Sequence, residues 1–94
     1  MNYEITDQML TDAANRQPVP FDSHAVIRQL MRDNSRAYVH DLYLHYEAGH
    51  SDPIHTLHSA IGTRLAGLGT LVPTQKVRSM NVRGQETENQ EWRR

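Results

Sequence analysis

Apolar positions recur with helical spacing over the first two thirds of this chain and then lose it. Met9, Leu10 and Ala13 form a narrow stripe, and Thr6 stands where an N-cap would, so residues 7–16 are predicted as a first helix. Ile5 and Leu10 flank that cap at the spacing of a hydrophobic staple, two apolar side chains clasped across the helix start. Gln17-Pro18-Val19-Pro20 ends the helix, because each proline disfavours helical geometry in the residue before it. A second helix opens at Asp22 or Ser23, with Phe21 and Val26 as its staple and Val26, Ile27, Leu30 and Met31 as its stripe. Asp33-Asn34-Ser35 reads as a turn, with Ser35 as the next cap. A third helix over residues 36–47 places Val39, Leu42, Tyr43 and Tyr46 at i, i+3, i+4 and i+7. Tyr43 and Tyr46 are expected to complete the core, and Gly49 suits a left-handed C-cap.

The fourth helix carries the clearest signals. Asp52 is an N-cap followed by Pro53 at the first helical position, where the missing N–H costs nothing. Ile54, Leu57, His58, Ile61, Leu65 and Leu68 then fall on one continuous face, and Gly67 and Gly69 end the helix. The opposite face reads His55, Thr56, Ser59, Thr63 and Arg64. Beyond Pro73 the helical stripe is gone. Residues 75–82 and 85–92 read as two extended arms about Arg83-Gly84, a β-hairpin. Trp92 is expected to fold back and anchor its outer strand on the helices. No strand is expected among the helices.

Composition narrows the class. The chain has 94 residues, which fits one domain. Ile, Leu, Val and Phe supply 19 of them, so the core is thin, but a net charge of -1 argues against disorder. Cys is absent, which removes disulfides, thiol nucleophiles and Cys-ligated zinc, and makes a reducing cytoplasm the expected compartment. The opening residues carry neither a basic region nor an apolar run, so no signal peptide is expected. No apolar stretch approaches the roughly 20 residues that span a bilayer, so no membrane partner is expected.

Charge is unevenly distributed. Residues 1–53 carry four arginines against eight carboxylates, a net -4, whereas residues 54–84 carry Arg64, Lys76, Arg78 and Arg83 and no acid, a net +4. That basic stretch coincides with the fourth helix and the first hairpin arm. Duplex DNA presents a dense line of phosphates, so a protein meets it with a basic face whatever its overall charge.

The Asp52-Pro53 helix, the run Arg64-Leu65-Ala66-Gly67-Leu68-Gly69 and the hairpin from Lys76 to Trp92 together resemble the winged helix-turn-helix superfamily. The resemblance covers residues 22–94, with residues 1–20 as a leading helix and Pro-containing linker. It implies an α+β fold, mostly helical, with a leading helix, a three-helix core and a C-terminal two-stranded wing. It also implies a small bacterial or phage-type DNA-binding protein, a transcriptional regulator or accessory factor. The fourth helix would enter the major groove of double-stranded DNA through His55, Thr56, Ser59, Thr63 and Arg64. Arg83 would be the wing contact, and Lys76 and Arg78 would meet phosphates.

The alternative is a non-enzymatic interaction module that offers the same helix face, or the Tyr-rich third helix, to a protein partner, because fold does not fix function. Tyr38 and Leu44 fall outside the best apolar stripe and are expected to form a contact patch, suited to a homodimer. His40, His45, His50 and His55 recur every five residues, a step of about 140° on a helix, so they do not line one face. His55 and His58 share a spacing that suits a metal, but the four-ligand sets of structural zinc are not in view, and no metal or other cofactor is expected. His58 sits on the apolar face and reads as a core histidine with one bonded nitrogen; His24 reads as a first-turn residue. No nucleophile elbow, phosphate loop or spaced carboxylate pair is present, so no catalytic residue is assigned and no enzyme is expected.

Overall fold

The computed structural model describes all 94 residues, Met1–Arg94. The elements follow in the order α1 (Asp7–Asn15), β1 (Phe21–Asp22), α2 (Ser23–Asp33), α3 (Ser35–Glu47), α4 (Pro53–Gly67), β2 (Val72–Met80) and β3 (Glu86–Arg93). The fold is α+β and mostly helical, four helices beside a three-stranded antiparallel sheet, an arrangement compatible with a winged-helix-like layout.

Three of the four helix starts are set by caps legible in the sequence. Thr6 Oγ1 accepts the Met9 N–H at 3.1 Å, and Asp22 Oδ1 accepts that of Ala25 at 2.9 Å. Asp52 Oδ1 accepts that of His55 at 3.3 Å, with Pro53 in the first turn. The residues of both staples, Ile5 with Leu10 and Phe21 with Val26, are all buried in one core. The third cap is a correction. Asn34 occupies that position, Ser35 is already helical, and no side chain caps the helix.

The sheet holds a second correction. Phe21 and Asp22 form a strand among the helices, pairing antiparallel with Trp92 and Glu91. The strand order is β1-β3-β2, so the Trp92 strand is central and not outer. Two residues are too short to show the period-2 alternation by which a strand is recognised. The hairpin starts earlier than its sequence suggests, at Val72, and its register shifts between Pro73 and Lys76. At the turn, Asn81 Oδ1 accepts the N–H groups of Arg83 and Gln85, and Gly84 adopts a φ of 77°, a left-handed conformation that glycine enters without strain.

A continuous core joins all four helices to β1 and β3: Ile5, Leu10, Ala13, Ala14, Phe21, Val26, Ile27, Leu30, Ala37, Tyr38, Leu57, Ile61, Leu65 and Trp92. α4 buries Leu57, Ile61 and Leu65 as its stripe predicts.

α3 departs most from its sequence. It buries Ala37, Tyr38, Asp41 and His45 and leaves Val39, Tyr43 and Tyr46 exposed. The inward face is chosen by polar groups. Asp41 is fully buried and accepts the backbone N–H groups of Glu4 and Ile5 at 2.7 and 2.9 Å. His45 bonds the Tyr3 hydroxyl at 2.8 Å. These contacts dock the N-terminal arm, whose amides would otherwise be buried without acceptors. Tyr38 turns inward to bond His58 at 2.7 Å and is 6% exposed, so it cannot form the surface patch expected of it. Leu44 is half-buried.

Candidate functional site

α4 and the hairpin enclose a groove of about 700 Å³, closed at its base by the start of α2. The helical repeat aligns His55, Ser59, Thr63 and Ala66 on one side. β2 and the turn contribute Lys76, Asn81 and Arg83, and β3 contributes Thr87, Glu88, Asn89 and Gln90. His55, Ser59 and Thr63 are exposed. The Thr63 hydroxyl donates to the Ser59 carbonyl at 3.1 Å within the helix, while the Ser59 hydroxyl and the His55 ring bond nothing in the chain.

Of the eight residues that the sequence singles out for nucleic acid, five meet at this groove: His55, Ser59, Thr63, Lys76 and Arg83. The other three lie elsewhere. Thr56 is half-buried and its hydroxyl returns to the Asp52 carbonyl at 3.0 Å. Arg64 points toward α1, where it bonds Asp7 at 2.9 Å and lies over the Tyr3 ring. Arg78 does not line the groove; it is exposed and reaches the Glu86 carbonyl at 3.1 Å across the strands.

The electrostatics are more balanced than the charge count implies. Arg64 pairs with Asp7, Arg78 with Glu86 and Arg83 with Asp52. Arg83 engages both carboxylate oxygens of Asp52, which ties the hairpin turn to the first turn of α4. The Arg83 guanidinium holds the Asp52 carboxyl below the usual carboxylate range. Lys76 alone of the basic stretch has no carboxylate partner.

The floor of the groove holds residues that no local spacing groups. His58 lines it beside Ser59 and Gly62, and burial pushes its pKa down to about 4, with the charges of His24, Arg83 and His55 acting in the same sense. His24 is also lowered, first by burial. Both rings are therefore neutral at pH 7. His24 Nδ1 meets the Ser79 hydroxyl at 2.8 Å, and that hydroxyl donates to Asp22 at 2.6 Å. Burial tends to raise the Asp22 carboxyl, but the Ser79 and Ala25 donors outweigh it and hold it below the usual range. This network clamps α2 to the hairpin. Ser79 also receives the Asn89 amide at 3.3 Å, so its oxygen is saturated and is not poised as a nucleophile. Asp22, Ser23 and His24 converge on Ser79, Asn89 and Trp92 only through the β1–β3 pairing, a contact about 70 residues apart that local spacing cannot reveal.

No cluster of three or more His, Asp or Glu side chains has the geometry to hold a metal ion. No helix is long and apolar enough to cross a membrane. No protein-family model, curated protein or solved structure matches the chain.

Proposed function

We propose that this domain binds double-stranded DNA in winged-helix fashion, with α4 lying in the major groove and the hairpin against the backbone. One observation carries the reading. The outward face of α4 offers His55, Ser59 and Thr63 in register and exposed, the His55 ring and the Ser59 hydroxyl unbonded by the fold and the Thr63 hydroxyl, which donates to the Ser59 carbonyl, still able to accept. Such groups on a helix beside a hairpin suit base-edge readout, while backbone contacts position the domain. Lys76 is the free cation beside them, and Arg83 is at the turn. Arg83 and Asp52 are both partly exposed, and a surface ion pair of that kind is weak enough to exchange its carboxylate for a phosphate.

A second reading, a protein-binding module on the same face, is favoured by the intramolecular pairing of Arg64, Arg78 and Arg83, which leaves little uncompensated positive charge. Salt separates the two. Fluorescence anisotropy of a labelled duplex, titrated between about 50 and 200 mM salt, should show affinity falling linearly in log–log form with a slope near -0.9 per phosphate contact. Absence of duplex binding at the low-salt end removes the DNA reading and leaves the protein partner.

A further inference from the structure

Three features take no part in the DNA reading. The Asp22–Ser79–His24 cluster is saturated by its own hydrogen bonds, and β2 is blunted as a free edge by Pro73 and Lys76. The third is the outer face of α3, and it carries the most.

Val39, Tyr43 and Tyr46 keep 60, 55 and 66% of their surface exposed, and the two tyrosine rings stack at 5.9 Å. They fall at i, i+4 and i+7, one stripe turned directly away from Ala37, Asp41 and His45. Nothing in the chain covers it. Arg36 and Glu47 stand at the two ends of the same face. They are eleven residues apart, which on an α-helix is three turns, about 16 Å, with an angular offset of about 20°. Arg36 forms no ion pair, and Glu47 accepts only the Tyr43 hydroxyl.

We propose that this face binds the same face of a second copy of the chain, with the two α3 helices antiparallel about a two-fold axis. A two-fold interface must be self-complementary, each residue meeting its counterpart's partner. The α3 face satisfies that condition in one orientation only. Antiparallel pairing sets Val39 against Tyr43 of the second copy and brings Arg36 onto Tyr46 and Glu47 of the second copy, once at each end. Parallel pairing would set Arg36 against Arg36 and Glu47 against Glu47. The size of the patch fixes the strength. Aromatic side chains offer about 150–250 Å² each, so the stripe supplies about 350 Å² per copy. Stable complexes bury about 800 Å² per partner. The dimer is weak and concentration-dependent. It does not rest on the DNA reading, and would hold equally for a protein-binding domain.

Sedimentation equilibrium on the intact chain, from about 10 µM to 1 mM, tests it. The parent should pass from monomer to dimer across that range. Tyr46→Ala should weaken association about tenfold, with an unchanged thermal melt, since the side chain is exposed. Arg36→Glu and Glu47→Arg should each weaken it about tenfold alone, while an equimolar mixture of the two, or the double variant R36E/E47R, should recover the parental constant. A parent that stays monomeric throughout overturns the proposal. So does a dimer indifferent to Tyr46→Ala, or a double variant no better than the single ones.

Discussion

The carboxylate of Asp41, on α3, and the backbone N–H of Ile5, ahead of α1, meet at 2.9 Å in the fully buried interior. The second oxygen takes the N–H of Glu4 at 2.7 Å, and His40 Nδ1 lies 2.9 Å from the same atom. One side chain therefore terminates two backbone donors on another segment of chain. That explains why a charged residue outcompetes the neighbouring tyrosines for the inward face. Burying Tyr43 in its place would gain apolar area but strand two amides without acceptors, and a stranded donor costs about 1–3 kcal/mol.

Asp41→Ala should accordingly destabilise the fold by about 2–4 kcal/mol, and lower the melting temperature by about 10–20 °C for a domain of this size. Asp41→Asn should fall between, since it keeps one acceptor. Limited proteolysis should cut the N-terminal arm of the alanine variant first. An alanine variant that melts with the parent would show that the arm is not held by this contact.

The same residue marks the boundary of what the sequence reveals. α4 was legible because its cap, its first-turn proline and its six-residue stripe all point one way, and the structure buries Leu57, Ile61 and Leu65 on that stripe. On α3 the sequence pattern misleads, because apolar periodicity assumes that the inward face is the apolar one. Here Asp41 and His45 face inward, and Val39, Tyr43 and Tyr46, which score as core, face out. β1 is not legible, because two residues carry no period. Nor is the pairing that brings His24 and Asn89 to the groove. Arg64 and Arg83 were identifiable as cations, but their carboxylates, Asp7 and Asp52, lie 57 and 31 residues away in sequence.

Trp92 closes the core from the sheet side. It is buried, and its indole N–H donates to the Ser23 hydroxyl at 2.9 Å. Ser23→Ala strands that donor and should cost about 1–3 kcal/mol. Trp92→Phe removes the donor itself, so the double variant should cost less than the sum of the two single ones. Denaturant melts of the four proteins close the cycle. Strict additivity would mean that the bond contributes nothing.

Ile61 and Leu65 test the α4 face directly. Either residue replaced by Ala should cost about 2–5 kcal/mol, because both are fully buried and their removal opens a cavity. An alanine variant with the parental melting temperature would show that α4 does not bury this face.

His58 predicts a pH dependence with a definite sign. Its pKa falls from 6.5 in the unfolded chain to about 4 in the fold, because burial disfavours the imidazolium. Between those values the unfolded chain binds more protons, so stability present above pH 6.5 is lost as the pH falls toward 4. The loss from this group, after allowance for solvent screening at a part-exposed ring, is on the order of 1–3 kcal/mol. His24 and His45 are lowered too, and act in the same direction. His58→Gln keeps a partner for Tyr38 and should flatten the stability profile over that window. A glutamine variant whose melts track the parent from pH 7 to 4 would assign the acid sensitivity to other groups.

The DNA reading makes its own residue-by-residue demand, sharpened by where the arginines go. Lys76→Ala should weaken duplex binding nearly equally for every sequence and lower the salt slope by about one unit, because it removes one phosphate contact and its released counterion. Ser59→Ala and Thr63→Ala should instead change which sequence is preferred, by about 1–3 kcal/mol per lost base contact, and leave the slope nearly unchanged. Arg64→Ala should leave DNA affinity alone, since that side chain is committed to Asp7 and Tyr3 on another face. Arg83→Ala lies between these cases: the side chain borders the groove, but its contribution must be set against the Asp52 pair it gives up. Duplex titrations of these variants at several salt concentrations decide the matter. If Arg64→Ala costs as much as Lys76→Ala, DNA meets a different face. If none of the groove variants changes affinity or preference, α4 is not the reading helix.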